Sequence, residues 1–242
     1  MAVRARTGIE SQPSRPVLPV VKPGRIPPLE NGDRLSRREF ERRYAAMSKV
    51  NKAELIERVV HMPSPVRTDL HGFPHGLLIG WIVAYHAATP GLVLSDNGTL
   101  RLDADNEVQP DVLLVIKASG QARIEEDGYV RGAPEFIAEV ASSSASYDAH
   151  EKFNVYRRRC GVQEYLLWRT QDGQMDWWAL NEGVYEPLPA DESGIVASRV
   201  FPGLWLDVNA MLAGDVAQAL AVLQTGLASA EHSTFVDRVT HL

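Results

Sequence analysis

Four charged side chains in this sequence, Glu139, Asp111, Lys152 and Glu54, could do chemistry together, and the first of them stands where an ionised group is costly unless something compensates it. In the run EFIAEVA, residues 135–141, side chains alternate along a strand, so Phe136, Ala138 and Val140 share one side and Ile137, Glu139 and Ala141 the other. Glu139 is therefore a carboxylate in an otherwise apolar strand. Such a residue is ordinarily paired, hydrogen-bonded or bound to a metal; the plainest alternative to a metal is an arginine partner at a strand end. Asp111 opens the apolar run DVLLVI directly after Pro110, whose fixed φ and missing N–H suit the first residue of a strand. Alone it reads as a solvated cap. Together with Glu139 it makes two acids at the ends of two β-runs, which could converge on one sheet edge and hold a hard divalent cation.

Lys152 follows on the stretch SASYDAHEKFNVYRRRC, read as a helix with a Ser N-cap and a stop at Gly161. Asp148 and Tyr156 lie four residues to either side of it, on the same helix face. A solvated Asp148–Lys152 pair is the ordinary explanation, but a helix packed over the Glu139 strand would bring Lys152 to the two acids. Glu54 is a further candidate on NKAELIE, read as a short helix just ahead of the β-rich ERVVHM, where an exposed helical glutamate is the commoner case.

Other signals are weaker. His71 and His75 have the spacing of a helical zinc pair, yet Pro74 is expected to start the helix and so to leave His71 before it; His75 remains a candidate substrate contact. Arg157, Arg158 and Arg159 suit the negative end of a helix dipole before they suit phosphate. Trp177, Trp178 and Trp205 read as packing aromatics. Neither a Gly-rich phosphate loop nor a nucleophile elbow is present.

The elements that would position these residues form a mixed α/β pattern without internal repeats. LSRREFERRYAAMS offers Ser36 as N-cap with Glu39 three residues on, a helix start. PHGLLIGWIVAYHAAT reads as an apolar core helix with Pro74 in its first turn. GLVLS, TLRL, DVLLVI and EFIAEVA read as strands, as do EYLLWRT, QMDWWAL and GVYEPL, the last two joined by an Asn-Glu-Gly hairpin turn. From Leu206 the chain reads as two closing helices. The expected organisation is a flexible, basic, Pro-rich tail over 1–33, a principal domain over 34–205 and a helical extension over 206–242.

The chain has 242 residues and a formal net charge of -6. Residues 1–49 carry 11 basic and 5 acidic side chains, so the leader is basic and the body strongly acidic. That balance speaks against a general basic coat for nucleic acid. The single cysteine, Cys160, excludes an internal disulfide and a Cys-rich zinc module, which fits a reducing, cytoplasmic setting. No apolar run is long enough for a membrane span, and neither a signal peptide nor an anchor is expected.

The runs QPDVLLV (109–115) and GAPEFIAEVASSSASYDAHEKFNVYRRRCGVQEYLLW (132–168) resemble the Uma-two family of restriction-endonuclease-like proteins. The elements that carry the resemblance are Pro110-Asp111, Gly132 and Pro134, Glu139-Val140 with Ser142, Asp148, Lys152, Tyr156, Gly161-Val162 and Glu164-Tyr165. AELIERVVHMPSP upstream is similar to the family's Glu-Leu-Ile start and Ser-Pro turn. The match covers roughly residues 35 to 180. It implies a PD-(D/E)XK nuclease-like core, a central mixed sheet flanked by helices with a divalent-metal site at its edge, followed here by the C-terminal helical segment.

Carried over, Asp111 and Glu139, with Val140 beside them, would bind Mg2+ or Mn2+. Lys152 would be the catalytic lysine and Glu54 an assisting acid, with His75 and Tyr156 towards substrate. The sequence departs from the superfamily motif in having Ala141 two residues after Glu139; the resemblance implies that the lysine has moved to position 152. The implied reaction is hydrolysis of DNA phosphodiesters, with a homodimer as the natural arrangement for cutting both strands. A non-catalytic nucleic-acid-binding or assembly module on the same fold is the reading from another class, and a metal-dependent hydrolase of another substrate is a third.

Overall fold

In the computed structural model of the chain, residues 26–50, 52–62, 67–117, 120–142, 151–157 and 161–240 are described. Asp148, Arg158, Arg159, Cys160 and the tail through residue 25 lie outside them. Helix α1 (Arg37–Ala45) starts as its sequence dictates: Ser36 is the N-cap, and its hydroxyl accepts from the Glu39 N–H. The hairpin β1 (Glu54–Ile56) and β2 (Val59–His61) comes next. A wide turn, Thr68–Gly72, then runs into α2 (Phe73–Ala88), which has Pro74 in its first turn.

Strands β3 (Leu92–Asp96), β4 (Leu100–Arg101), β5 (Glu107–Val108), β6 (Val112–Ile116), β7 (Arg123–Ile124), β8 (Val130–Arg131) and β9 (Phe136–Ala141) follow. After them come α3 (Phe153–Val155), β10 (Glu164–Arg169), β11 (Gln174–Asn181), β12 (Val184–Pro187), β13 (Ile195–Ala197) and β14 (Trp205–Asp207). The chain closes with α4 (Val208–Leu212), α5 (Val216–Leu227) and α6 (Ala230–Thr240).

The central sheet has the order β12-β11-β10-β9-β6-β3. It is mixed, because β9 and β10 run parallel while the other neighbours are antiparallel. The alternation in β9 decides what covers each face. Phe136, Ala138 and Val140 join Leu78, Trp81, Ile82, Phe201, Leu223 and Phe235 in a core under α2, α5 and α6. Ile137 and Ala141 join Leu113, Val115, Tyr156, Tyr165 and Leu167 in a second core on the opposite face. That second core also receives Ile56, Leu100, Val108 and Val130 from a smaller sheet, β2-β1-β5-β4-β8-β7. Each such large apolar side chain contributes about 1.5–3 kcal/mol on burial, so both faces of the strand carrying Glu139 are rigidly held. A third cluster, Leu29, Leu35, Phe40, Ala53, Leu55 and Val60, seats α1 on the hairpin.

The structure corrects the sequence reading at several points. Glu54 lies on a strand, not a helix: all three residues of β1 are buried, with Leu55 and Ile56 in different clusters. The turn that makes the hairpin is formed by Glu57 and Arg58, at φ 49 and 67, a conformation usually given to Asn or Gly. The helical path also begins before Pro74, so His71 sits within the wide turn rather than ahead of any helix. Among the described residues beyond Leu206 there are three helices instead of two, because Asp207 and Asp215 each cap a new one and Gly214, at φ 74, ends α4. Among the described residues no helix is long and apolar enough to cross a membrane.

Candidate functional site

The antiparallel register of β6 and β9 pairs Val112 with Ala138. Asp111, one residue ahead of β6, is thereby brought opposite Glu139. The two acids are clasped through the main chain: the Asp111 N–H donates to Glu139 Oε2 at 3.3 Å, and the Val140 N–H donates to Asp111 Oδ2 at 2.8 Å. Each carboxylate is only 2% exposed. Val140 takes part through its backbone, since its side chain belongs to the core on the other face.

Lys152 reaches the acids from the helical turn around α3. Its Nζ donates to Glu139 Oε1 at 2.8 Å and lies 3.0 Å from Glu54 Oε1, and the side chain is 2% exposed. A buried ammonium between two carboxylates satisfies the demand that buried charge be paired. Glu54 Oε1 also accepts from the Gln109 N–H at 2.7 Å. The short segment Gln109-Pro110-Asp111 is thus bracketed by two glutamates, Glu54 at its start and Glu139 at its end.

Tyr156 is fully buried, and its hydroxyl donates to Glu139 Oε1 at 3.0 Å. Burial and the neighbouring Glu139 charge push its phenol well above its ordinary value, so it stays a donor. The sequence reading placed Tyr156 towards substrate; in the fold its hydroxyl is turned onto the acid. His75 does not join the acids: its Nε2 lies 3.2 Å from Asp96 Oδ1, and its ring is stacked on His71.

Two residues that the sequence did not single out as partners of the acids surround Asp111. His71 Nε2 lies 3.3 Å from Asp111 Oδ2, and Lys52 Nζ lies 3.9 Å from Oδ1. Burial alone would raise the Asp111 carboxyl, but the His71 hydrogen bond, the Lys52 and His71 charges and the Val140 N–H outweigh it and hold it at about 2. Asp111 is consequently anionic at neutral pH. The signal for His71 was its spacing from His75, set aside as a zinc pair because of Pro74; in the fold the two rings are stacked, with centroids 5.7 Å apart.

The donor set discriminates among cations. Among the described residues no three His, Cys, Asp or Glu side chains converge closely enough to hold a metal by themselves. Zinc, which takes three or four protein ligands, is poorly served. Magnesium binds through one or two carboxylates and keeps several waters, and the hard oxygens of Asp111 and Glu139 fit it.

Six of the eleven basic residues of the N-terminal segment fall at 34–49, and several are neutralised there. Arg42 and Arg43 pair with Glu39 at 2.7 and 2.8 Å, and Arg37 lies 3.4 Å from Glu41.

Residues 37–209 match the family model Uma2, whose description is "putative restriction endonuclease". A crystal structure of a "putative nuclease belonging to DUF820" from Anabaena variabilis ATCC 29413 is similar, with a TM-score of 0.51 at 14% identity, over 75% of this chain and 97% of that one. At that identity the likeness is one of fold. No curated protein matches the chain.

Proposed function

The chain belongs to the Uma2 family of restriction-endonuclease-like proteins, and from that premise we propose that it is a magnesium- or manganese-dependent endodeoxyribonuclease, hydrolysing DNA phosphodiesters at Asp111, Glu139 and Lys152. The observation that carries the proposal is the clasp between the two acids, because it sets two buried carboxylates against each other across the β6–β9 pairing, with a lysine in contact with Glu139. A divalent cation there would supply charge neutralisation at the phosphate and a more acidic bound water.

The chain's own residues do the rest. Asp111 and Glu139 would hold the cation. Tyr156 and Lys152, both donating to Glu139 Oε1, keep that carboxylate in one orientation, with Oε2 tied to the Asp111 N–H. Glu54 holds Lys152 from the other side and fixes the chain entering Asp111. From that position Lys152 would orient the attacking water or offset charge growing on the phosphate. His75, stacked on His71, is assigned to the substrate.

One observation favours a second reading. Lys152 is nearly sealed from solvent and engaged by two carboxylates, as in a purely structural ion cluster, which a non-catalytic nucleic-acid-binding or assembly module would retain. Metal-dependent nicking of supercoiled DNA, with wild type beside Asp111→Ala and Glu139→Ala, separates the two.

A further inference from the structure

The wide turn Thr68–Gly72 has a physical cause. In an uninterrupted helix the N–H of residue 74 would donate to the Leu70 carbonyl, but Pro74 has none. The turn widens, with the His71 and Gly72 N–H groups both donating to the Arg67 carbonyl at 3.0 and 3.1 Å. The Leu70 carbonyl takes its hydrogen bond from Thr170 Oγ1, at 2.7 Å. Thr170 directly follows β10, and its N–H donates to the carbonyl of Ala141, the last residue of β9, at 2.9 Å. The turn is thereby pinned to the ends of the two parallel strands beside the site, and His71, the next residue, is aimed at Asp111.

The two oxygens of Asp111 are unequal. Oδ2 receives the Val140 N–H at 2.8 Å and faces His71 Nε2 at 3.3 Å. Oδ1 accepts no hydrogen bond among the described residues, and Lys52 Nζ stands 3.9 Å away. We infer that His71 is a positioning residue: by holding Oδ2 it leaves Oδ1 as the oxygen offered to a divalent cation. This rests on the reading of Asp111 as a metal-binding acid. Donors that fix a ligating carboxylate are typically worth about 10- to 100-fold in metal affinity. The His71 side chain is 25% exposed, so replacing it opens no large cavity.

The test is calorimetric titration of the full chain with Mn2+, for wild type, Asp111→Ala, His71→Ala, His71→Gln and Thr170→Val, each also checked for its unfolding midpoint. Wild type binds and Asp111→Ala does not. His71→Ala binds about 10- to 100-fold more weakly, His71→Gln, whose Nε2 can replace the imidazole donor, recovers most of the loss, and Thr170→Val falls between. If His71→Ala binds like wild type while Asp111→Ala has lost the ion, or if His71→Gln is no better than His71→Ala, the role of His71 is overturned and that of Asp111 stands. If wild type binds no Mn2+, or Asp111→Ala binds it equally well, the reading of Asp111 falls and the inference falls with it.

Discussion

Asp111 and Glu139 are held by each other's strand: the Asp111 N–H donates to Glu139 Oε2, and the N–H that follows Glu139 donates to Asp111 Oδ2. Neither carboxylate can turn away without breaking a hydrogen bond made by the other's main chain. The strands that carry them are packed on both faces, so the spacing of the acids is set by sheet register and not by a flexible loop. Such preorganisation is what a cation site requires, because the cost of gathering like charges is met during folding.

Removing the lysine leaves two buried carboxylates uncompensated. Lys152→Met should destabilise the fold by about 3–5 kcal/mol, measured by urea unfolding. The double variant Glu54→Gln/Lys152→Met should recover part of that loss, since one of the stranded charges is gone. A Lys152→Met protein as stable as wild type would contradict the buried ion cluster.

Another buried acid, Glu164 at the start of β10, should make stability fall with rising pH. Burial pushes its carboxyl from 4.5 to about 7, although Ser198, the Arg199 and Val200 N–H groups and Trp177 all donate to it and pull the other way. Below 4.5 the folded and unfolded chains both keep the proton. Between there and about 7 only the folded chain keeps it, so stability drops across that window and levels off above it. The full drop is about 3 kcal/mol. Unfolding free energies of wild type against Glu164→Gln, from about pH 5 to about pH 8, should diverge in this sense; parallel profiles would contradict it.

Alanine normally improves a helix interior relative to glycine by about 0.5–1 kcal/mol. Gly226 in α5 should do the reverse. A Cβ there would run into the Gly203 carbonyl oxygen and come within 2.9 Å of the Trp205 ring. Gly226→Ala should therefore cost about 1–3 kcal/mol, seen as a lowered thermal midpoint, because α5 would be lifted from the segment that leads into β14. A raised midpoint would show that the close approach is not maintained.

Legibility in the sequence followed how local the cause was. Period-two alternation in 136–141 sufficed to place Glu139 on a strand, the proline before Asp111 marked the residue just ahead of β6, and Ser36 and Pro74 marked helix starts. Glu54 was misplaced because the hairpin turn after it uses Glu57 and Arg58 at positive φ without any Asn-Gly signal; only burial from both sides makes AELI a strand. His71 was set ahead of the helix because Pro74 marks the first turn of α2, whereas the helical path begins one turn earlier, at Thr68. Its aim at Asp111 depends on Thr170, about a hundred residues away. The basic leader also proved less free than its net charge suggested, since Arg37, Arg42 and Arg43 of α1 pair with Glu39 and Glu41.

The central claim is that the clasped acids bind a divalent cation and cut DNA. Supercoiled plasmid incubated with the full-length chain and Mg2+ or Mn2+ should convert to the nicked and linear forms, and chelation should stop it. Asp111→Ala and Glu139→Ala, folded by their unfolding midpoints, should each lower the rate by about 100-fold or more. No cleavage by the wild type with either metal, or equal cleavage by the two variants, would contradict the account.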